Sequence, residues 1–144
     1  MDAITIFYTD DDEDDLSIFA DAVESLQKEI KLQTYTGGEK LLNAIYNPPP
    51  APDVIFLDLN MPGKNGFDVL SELYNGDKLN IPIIIFSTSN EPGIIEKCRA
   101  LGASLFITKP VLMNDIIKSI EHALQIDWEN FVPTVNNFVF QNKD

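Results

Sequence analysis

Short apolar runs rich in β-branched residues alternate with amphipathic segments along the chain, and this alternation constrains the fold more than any other feature. The runs that read as strands are 3–9, 30–35, 53–59, 82–87 and 104–108. The segments of helical period that follow them are 16–26, 38–46, 66–75, 91–101 and 111–125. Strict alternation of strand and helix predicts a doubly wound α/β fold built on a five-stranded parallel sheet.

The predicted sheet has the flavodoxin-like strand order 2-1-3-4-5, and helices on both faces complete a three-layer α/β/α sandwich. The runs at 53–59 and 82–87 are almost unbroken apolar stretches, as expected for central strands covered on both faces. With 144 residues the chain has room for one domain, which we assign to 1–126, followed by a tail at 127–144. In this strand order a ligand site lies beyond the carboxyl ends of the first and third strands.

The composition argues against several classes of function. The formal net charge of -13 would repel nucleic-acid phosphates and anionic lipid head groups, so we expect no direct nucleic-acid binding. No apolar run approaches the ~18 residues of a membrane span, and the first residues, MDAIT, lack the pattern of a signal peptide. We therefore expect a cytoplasmic protein without membrane insertion.

Acidic residues follow two of the predicted strands directly. Asp10 and Asp11 come after the first strand, and Asp58 closes the third. The predicted strand order brings these three carboxylates to one crevice at the carboxyl edge of the sheet. Two unit charges ~4 Å apart repel by about 4 kcal/mol at an effective dielectric near 20, so a cation must offset the repulsion. Hard carboxylate oxygens with room for water suit Mg²⁺.

Two further strand ends add polar groups at the same edge. Lys109 follows the fifth strand in the segment ITKP, where its ammonium can pair with a carboxylate or a phosphate. Ser87 and Thr88 follow the apolar run of the fourth strand and supply hydroxyl groups. The sequence therefore predicts a cation site at this edge with a lysine beside it.

These segments resemble the receiver domain of bacterial two-component response regulators, including single-domain members such as the chemotaxis regulator. The resemblance rests on the pair Asp10 and Asp11, on VIFLDLNMPGKNGFDVL around Asp58, on IPIIIFSTS with Ser87 and on FITKPV with Lys109. It runs from about residue 4 to about residue 124. Each motif alone is weak, but the four together, in order and at strand ends, are specific.

The resemblance implies a phosphoryl acceptor and a set of metal ligands. It implies that Asp58 attacks a phosphohistidine of a sensor histidine kinase or a phosphotransfer protein and becomes an aspartyl phosphate. Asp11 and Asp58 would bind Mg²⁺ directly, with the main-chain carbonyl of Asn60 as a further ligand. Asp10 would act on the ion through water. Mg²⁺ is thus the expected cofactor.

The resemblance also implies how the phosphoryl group is sensed. Lys109 would neutralise charge on the phosphoryl group, and the hydroxyl of Ser87 would turn toward it. Phe106 stands where the family frequently has tyrosine, so it would move inward and report the switch by packing alone. Asn60 and Ser89 match positions beside the phosphoryl group that influence its hydrolysis in the family.

The expected function is a stand-alone receiver whose phosphorylation switches its interaction with a downstream protein target in a phosphorelay. Such a chain is not an enzyme beyond its own phosphorylation and dephosphorylation. One alternative is an aspartate-nucleophile phosphatase of the haloacid dehalogenase type, but that class needs a second aspartate where Asn60 stands. Another alternative is a docking module that is never phosphorylated, against which the intact acids, Ser87 and Lys109 argue.

Three other features have simpler interpretations. Cys98 lies at helical spacing from apolar neighbours, which favours core packing over a nucleophile. His122 borders the apolar face of the last helix, which favours a structural or surface role over a phosphodonor. The acids at 12–15 read as a solvated helix start, with Asp14 or Asp15 as the helix cap.

The tail past residue 125 carries Trp128, Phe131, Phe138 and Phe140 and is too aromatic for a plain disordered end. In the family that the chain resembles, the face built from the fourth helix, fifth strand and fifth helix binds partners or forms dimers. We therefore expect the tail to pack on that face or on a second copy of the chain in a homodimer.

Overall fold

The computed structural model describes residues 3–76 and 80–141, and the six strands of this part form one parallel sheet in the order β2-β1-β3-β4-β5-β6. The strands are β1 (Ile4–Thr9), β2 (Ile30–Tyr35), β3 (Val54–Leu57), β4 (Ile83–Ser87), β5 (Leu105–Thr108) and β6 (Val139–Phe140). The helices are α1 (Glu13–Ser25), α2 (Gly38–Tyr46), α3 (Gly66–Asn75), α4 (Pro92–Ala100) and α5 (Met113–Gln125). The predicted flavodoxin-like fold and the order 2-1-3-4-5 are confirmed, and β6 extends the sheet by one short strand.

Helices cover both faces of the sheet, with α1 and α5 on one face and α2, α3 and α4 on the other. Side chains along β3 alternate between these layers: Ile55 and Leu57 pack toward α2, α3 and α4, whereas Val54 and Phe56 pack toward α1 and α5. All four are buried, which explains the continuous apolar run of this strand. In the described part of the chain, every helix is too short or too polar to traverse a bilayer.

Helix α1 begins earlier than predicted because Asp12, and not Asp14 or Asp15, is its N-cap. The Asp12 carboxylate accepts hydrogen bonds from the backbone N–H groups of Asp14 and Asp15, at 2.8 and 3.3 Å. The Asp12 backbone is extended, and its own N–H donates to Asp10 Oδ1 at 3.0 Å. The predicted cap, Asp14 or Asp15, was wrong. The bond from the Asp12 N–H to Asp10 fixes Asp12 directly after β1, so the helix starts at the next residue.

The segment after β3 turns closely into α3 at Gly66. A Cβ on Gly66 would lie 2.6 Å from the carbonyl oxygen of Asp58 and 2.8 Å from the Cα of Leu59. Asn65 and Asp68 close the helix start with a capping box, in which each side chain accepts from the other residue's backbone N–H. The backbone at Asp58 is therefore packed against the first turn of α3.

We expect Gly66→Ala to lower the free energy of unfolding by about 1–3 kcal/mol, because the backbone must move to admit the methyl group. Urea unfolding measures this change. Gly93→Ala is the matched control, since a Cβ at this position in α4 meets nothing within 4 Å and alanine favours a helix. A Gly66→Ala chain as stable as the parent would contradict the close packing at this turn.

The described part of the aromatic tail, which ends at residue 141, lies along β5 of the same chain, and residues 142–144 lie outside the described residues. The backbone N–H of Phe106 donates to the carbonyl of Phe138 at 2.8 Å, and β6 pairs in parallel with β5. Phe138 is only 1% exposed and joins the core on the α4 side of the sheet. On the α5 side, His122 stacks on Phe140 with ring centroids 4.0 Å apart. The tail therefore reaches both helices that flank β5.

Candidate functional site

The carboxyl ends of β1 and β3 bring two buried aspartates side by side. Thr9 and Leu57 are paired in the sheet, and the backbone N–H of Asp58 donates to the carbonyl of Thr9 at 3.0 Å. Asp10 and Asp58 are 1% and 5% exposed, whereas Asp11 is exposed. One carboxylate oxygen from each of these three aspartates lies within 4.8 Å of the other two. The acids singled out in the sequence thus meet at one edge of the sheet.

Lys109 extends from the end of β5 into this acidic cluster. Its Nζ lies 2.6 Å from Asp10 Oδ2 and 2.9 Å from Asp15 Oδ2. Asp58 Oδ2 is 3.7 Å from the same nitrogen, beyond hydrogen-bonding distance. The backbone N–H of Lys109 donates to the carbonyl of Ser87 at 2.9 Å, which ties the ends of β5 and β4 together. Burial lowers the pKa of Lys109, but the hydrogen bonds to Asp10 and Asp15 outweigh it and raise the pKa overall.

The Asp58 carboxyl ionises less readily than an ordinary aspartate. Burial, together with the charge of Asp10, raises the pKa of Asp58 to about 6, while Lys109 acts in the opposite direction. The backbone N–H of Leu59 donates to Asp58 Oδ1 at 2.9 Å. At neutral pH the group is therefore an ionised carboxylate with one oxygen held by the backbone.

We expect the raised pKa of Asp58 to make the parent less stable at neutral pH than an Asp58→Asn variant. Well below pH 4 the carboxyl is protonated in both the folded and the unfolded chain. As the pH rises toward the folded pKa of about 6, the unfolded chain already binds fewer protons, so stability is lost. The gap should be on the order of 3 kcal/mol at pH 7 and shrink toward zero below pH 4. Urea unfolding without divalent ions measures it, and a gap independent of pH would contradict the shift.

Sequence reasoning missed two residues of the site, Tyr8 and Asp15. The Tyr8 hydroxyl donates to Asp10 Oδ2 at 2.6 Å, and burial with the charge of Asp10 raises the pKa of Tyr8, which keeps it a neutral donor. The spacing of two residues in an extended segment was the available signal for this contact. Asp15 lies in the first turn of α1 and is partly exposed, as predicted, but its carboxylate also bonds Lys109, which sequence reasoning did not anticipate.

Hydroxyl and amide groups from two loops lie at the ends of β3 and β4. Ser87 is fully buried, and its Oγ accepts from the backbone N–H of Ser89 at 3.2 Å. Asn60 Nδ2 donates to Ser89 Oγ at 2.9 Å, which links the segment after β3 to the segment after β4. Thr88 is exposed, and Phe106 has no exposed surface. Of the predicted hydroxyl groups, Ser87 is therefore the one fixed inside the molecule.

Comparison with known proteins agrees with this arrangement. A family model described as the response regulator receiver domain matches residues 6–121. The chain belongs to the response regulator receiver family. Asp10, Asp58 and Lys109 all fall within the matched range.

Several solved receivers share the fold. The response regulator RPA3017 in red light signaling of R. palustris is 25% identical, with a TM-score of 0.78 over 92% of this chain and 99% of that chain. The phosphorylated cyanobacterial phytochrome response regulator RcpA is 24% identical, with a TM-score of 0.76 over 92% of this chain and 98% of that one.

Curated relatives match the receiver over part of their length. The two-component response regulator ARR17 of Arabidopsis thaliana is 37% identical over 73 residues, 50% of this chain and 48% of ARR17. A protein-glutamate methylesterase/protein-glutamine glutaminase of Clostridium acetobutylicum is 33% identical over 132 residues, 85% of this chain and 37% of that protein. The chain spans about half or less of the length of these relatives.

The acidic cluster of the receiver fits a hard divalent cation such as Mg²⁺. Asp11 is exposed, and Asp58 Oδ2 lies too far from Lys109 for a hydrogen bond, so both can offer an oxygen. Asp10 differs, because a backbone N–H bonds its Oδ1 while Tyr8 and Lys109 bond its Oδ2. With both oxygens already bonded, Asp10 is suited to contact an ion through water.

Cys98 and His122 of the receiver have structural surroundings. Cys98 is fully buried in the core on the α4 side, and burial raises the pKa of its thiol to about 12. The thiol is therefore protonated, and its predicted role in core packing is confirmed. His122 packs against the ring of Phe140, and burial lowers the pKa of its imidazole. This contact supports a structural role for His122 between α5 and the tail.

Proposed function

We propose that the receiver accepts a phosphoryl group on Asp58 from the phosphohistidine of a sensor histidine kinase or a histidine phosphotransfer protein. The observation that carries this proposal is the meeting of three carboxylates within 4.8 Å, with the Lys109 ammonium 3.7 Å from Asp58 Oδ2. Phosphoryl transfer needs an aligned nucleophile and positive charge around the transferred group, and little other protein chemistry. In this cluster, Asp58 is the nucleophile and Lys109 provides positive charge beside it.

The proposed transfer is a displacement at phosphorus. Asp58 Oδ2 forms the new O–P bond while the P–N bond to the histidine breaks, and the imidazole nitrogen keeps the electron pair of that bond. The backbone N–H of Leu59 holds Oδ1 at 2.9 Å, which leaves Oδ2 as the attacking oxygen. The ammonium of Lys109 stabilises the negative charge on the transferred oxygens.

We assign Asp11, Asp58 and the main-chain carbonyl of Asn60 as the Mg²⁺ ligands of the receiver, with Asp10 acting through water. Mg²⁺ bound there supplies positive charge that neutralises the phosphoryl oxygens during transfer. The chain's own contribution is to hold the acids together, which costs repulsion between like charges when no cation is near.

Mg²⁺ at ten times its dissociation constant is expected to raise the free energy of unfolding by about 1.4 kcal/mol, because only the folded chain assembles the cluster. Thermal melting with and without the ion measures this gain. Asp58→Ala should weaken it. Asp53→Asn is the control, since Asp53 flanks the other end of β3 and its side chain bonds the backbone N–H of Thr5. A parent whose melting ignores Mg²⁺ would count against the assigned ligands.

We further propose that Ser87 and Phe106 convert phosphorylation into a change of surface. The Ser87 Oγ accepts a backbone N–H from Ser89, and its own proton remains to be donated to a phosphoryl oxygen. Phe106 on β5 is paired with Ile85 on β4, and Ile85 lies two residues before Ser87. A movement of Ser87 at the end of β4 therefore changes the packing around the Phe106 ring. Phosphorylation then biases an equilibrium between two conformations, which a downstream protein target reads.

The test of the proposed function is the intact mass of the chain after treatment with acetyl phosphate and Mg²⁺. We expect one phosphoryl group per chain, stable in acid and lost in base, and little addition when a chelator removes the metal. An unmodified chain under conditions in which Mg²⁺ stabilises the fold would overturn the proposal.

Two other functions are separated from this one by different measurements. A haloacid dehalogenase-type phosphatase would turn over an aryl phosphate steadily, with a carboxylate two residues after Asp58 as acid and base. Asn60 stands there, and its amide donates to Ser89. A docking module without phosphorylation would bind its partner equally with and without the phosphodonor.

A further inference from the structure

Lys109 is shared unequally among three carboxylates of the receiver. An ammonium carries three N–H donors, and Asp10 and Asp15 accept hydrogen bonds from it at 2.6 and 2.9 Å. Asp58, the proposed phosphoryl acceptor, is the most distant partner at 3.7 Å. Within 3–76 and 80–141, these three aspartates are the ion-pair partners of Lys109. The lysine is therefore bonded toward α1 and β1 and not to the acceptor.

Asp15 differs from the other two partners because it lies outside the acidic cluster. It belongs to the first turn of α1, where its backbone N–H donates to the capping carboxylate of Asp12. Its side chain is 38% exposed, against 1% for Asp10. Among the described residues, the group that could hold a metal ion comprises Asp10, Asp11 and Asp58. The Asp15 carboxylate thus bonds the lysine and is not a member of that group.

We propose that Asp15 is a positioning residue that holds Lys109 on the α1 side of the site and competes with a phosphoryl group on Asp58 for its ammonium. This inference rests on the proposed function. A phosphoryl group adds negative charge beside Lys109, which then shares its ammonium with one more acceptor. The bond to Asp15 must weaken or break as the lysine turns toward the phosphoryl oxygens. Asp15 therefore disfavours the phosphorylated state relative to a chain without this carboxylate.

The competition is tested with Asp15→Asn, using Asp14→Asn as the matched control. Both variants remove one negative charge from the first turn of α1, but Asp14 is exposed and is not an ion-pair partner of Lys109 in the described part of the chain. Each chain is treated with the same limiting acetyl phosphate at saturating Mg²⁺, and intact mass gives the ratio of phosphorylated to unmodified chain.

We expect Asp15→Asn to raise this ratio about three- to fivefold over the parent, the size expected from losing one partly exposed ion pair. Asp14→Asn should change the ratio by less than about twofold, because the exposed Asp14 charge is screened by salt and water. Equal increases in both variants would mean that the ratio depends on net charge and not on the bond between Asp15 and Lys109, which would overturn the proposal. A lower ratio in Asp15→Asn would mean that Asp15 assists transfer, which overturns it as well.

A second measurement separates this proposal from the proposed function. Thermal melting of Asp15→Asn, Lys109→Met and the double variant, without phosphodonor, reports whether the two side chains are coupled in the unmodified chain. Coupling appears as non-additive shifts of the melting temperature, and additive shifts overturn the positioning role whatever the labelling shows. If the parent and all variants stay unphosphorylated while the shifts are non-additive, the proposed function fails and the competition falls with it.

Discussion

Replacing Asp58 with asparagine is expected to leave the receiver folded and unable to take up a phosphoryl group. The amide has nearly the shape of the carboxylate, but its oxygen is a much weaker nucleophile, so the O–P bond does not form. The variant also removes a buried charge whose pKa is raised to about 6, so the fold should not suffer. Intact mass after acetyl phosphate and Mg²⁺ should show an unmodified chain where the parent gains one phosphoryl group.

The control for this prediction is Asp53→Asn. Asp53 is exposed and precedes β3, whereas Asp58 follows it, so the two aspartates flank opposite ends of the same strand. The control variant should be phosphorylated to the same extent as the parent. An Asp58→Asn chain labelled to the parent's level would assign the phosphoryl group to another residue and reject the proposed acceptor.

Phe138→Ala is expected to lower the free energy of unfolding by about 3–5 kcal/mol, the usual cost of removing a fully buried phenylalanine ring. Phe138 is 1% exposed, and its ring centroid lies 6.4 Å from that of Phe106. Its carbonyl also accepts the backbone N–H of Phe106 at 2.8 Å, next to the pairing of β6 with β5, so the buried ring and this bond lie at the same point of the sheet edge. Urea unfolding of parent and variant gives the difference.

Val135→Ala provides the comparison, because Val135 belongs to the same tail but is 73% exposed. Its effect should stay within about 0.5 kcal/mol. If Phe138→Ala were as mild as Val135→Ala, the tail would contribute no core packing, and the description of β6 as part of the sheet would be wrong.

Most of the fold was predictable from the sequence because its central strands are buried on both faces. Such strands need unbroken apolar runs, and the runs at Val54–Leu57 and Ile83–Ser87 stand out from the amphipathic helices between them. Right-handed crossovers then leave few ways to arrange the strands. The alternation predicts a doubly wound sheet, for which the flavodoxin-like order is one of two common strand orders.

The sixth strand could not be predicted in the same way. Val139–Phe140 is a run of only two residues, too short to show a strand period. The pairing of β6 depends on Phe138, which is buried on the α4 side of β5. Phe138 bonds Phe106, which lies 32 residues earlier in the chain. Local sequence pattern carries no signal for a contact of that kind.

The site was predictable where it depends on strand ends and not where it depends on side-chain direction. Asp10, Asp58 and Lys109 follow parallel strands, whose carboxyl ends share one edge of the sheet. Asp15 reaches Lys109 across 94 residues of sequence, through the placement of α1 beside the end of β5. Tyr8 is buried beneath the acids, and its apolar surroundings gave it the pattern of an ordinary core residue.

The most direct test of the account is to locate the phosphoryl group in the parent chain. After treatment with acetyl phosphate and Mg²⁺, the chain is digested by a protease at acidic pH, where an acyl phosphate survives. Mass spectrometry then gives the masses of the peptides. We predict one added phosphoryl group on the peptide that contains Asp58. A phosphoryl group on any other residue, with Asp58 unmodified, would contradict the proposal that the carboxylates and Lys109 form the phosphoryl-accepting site.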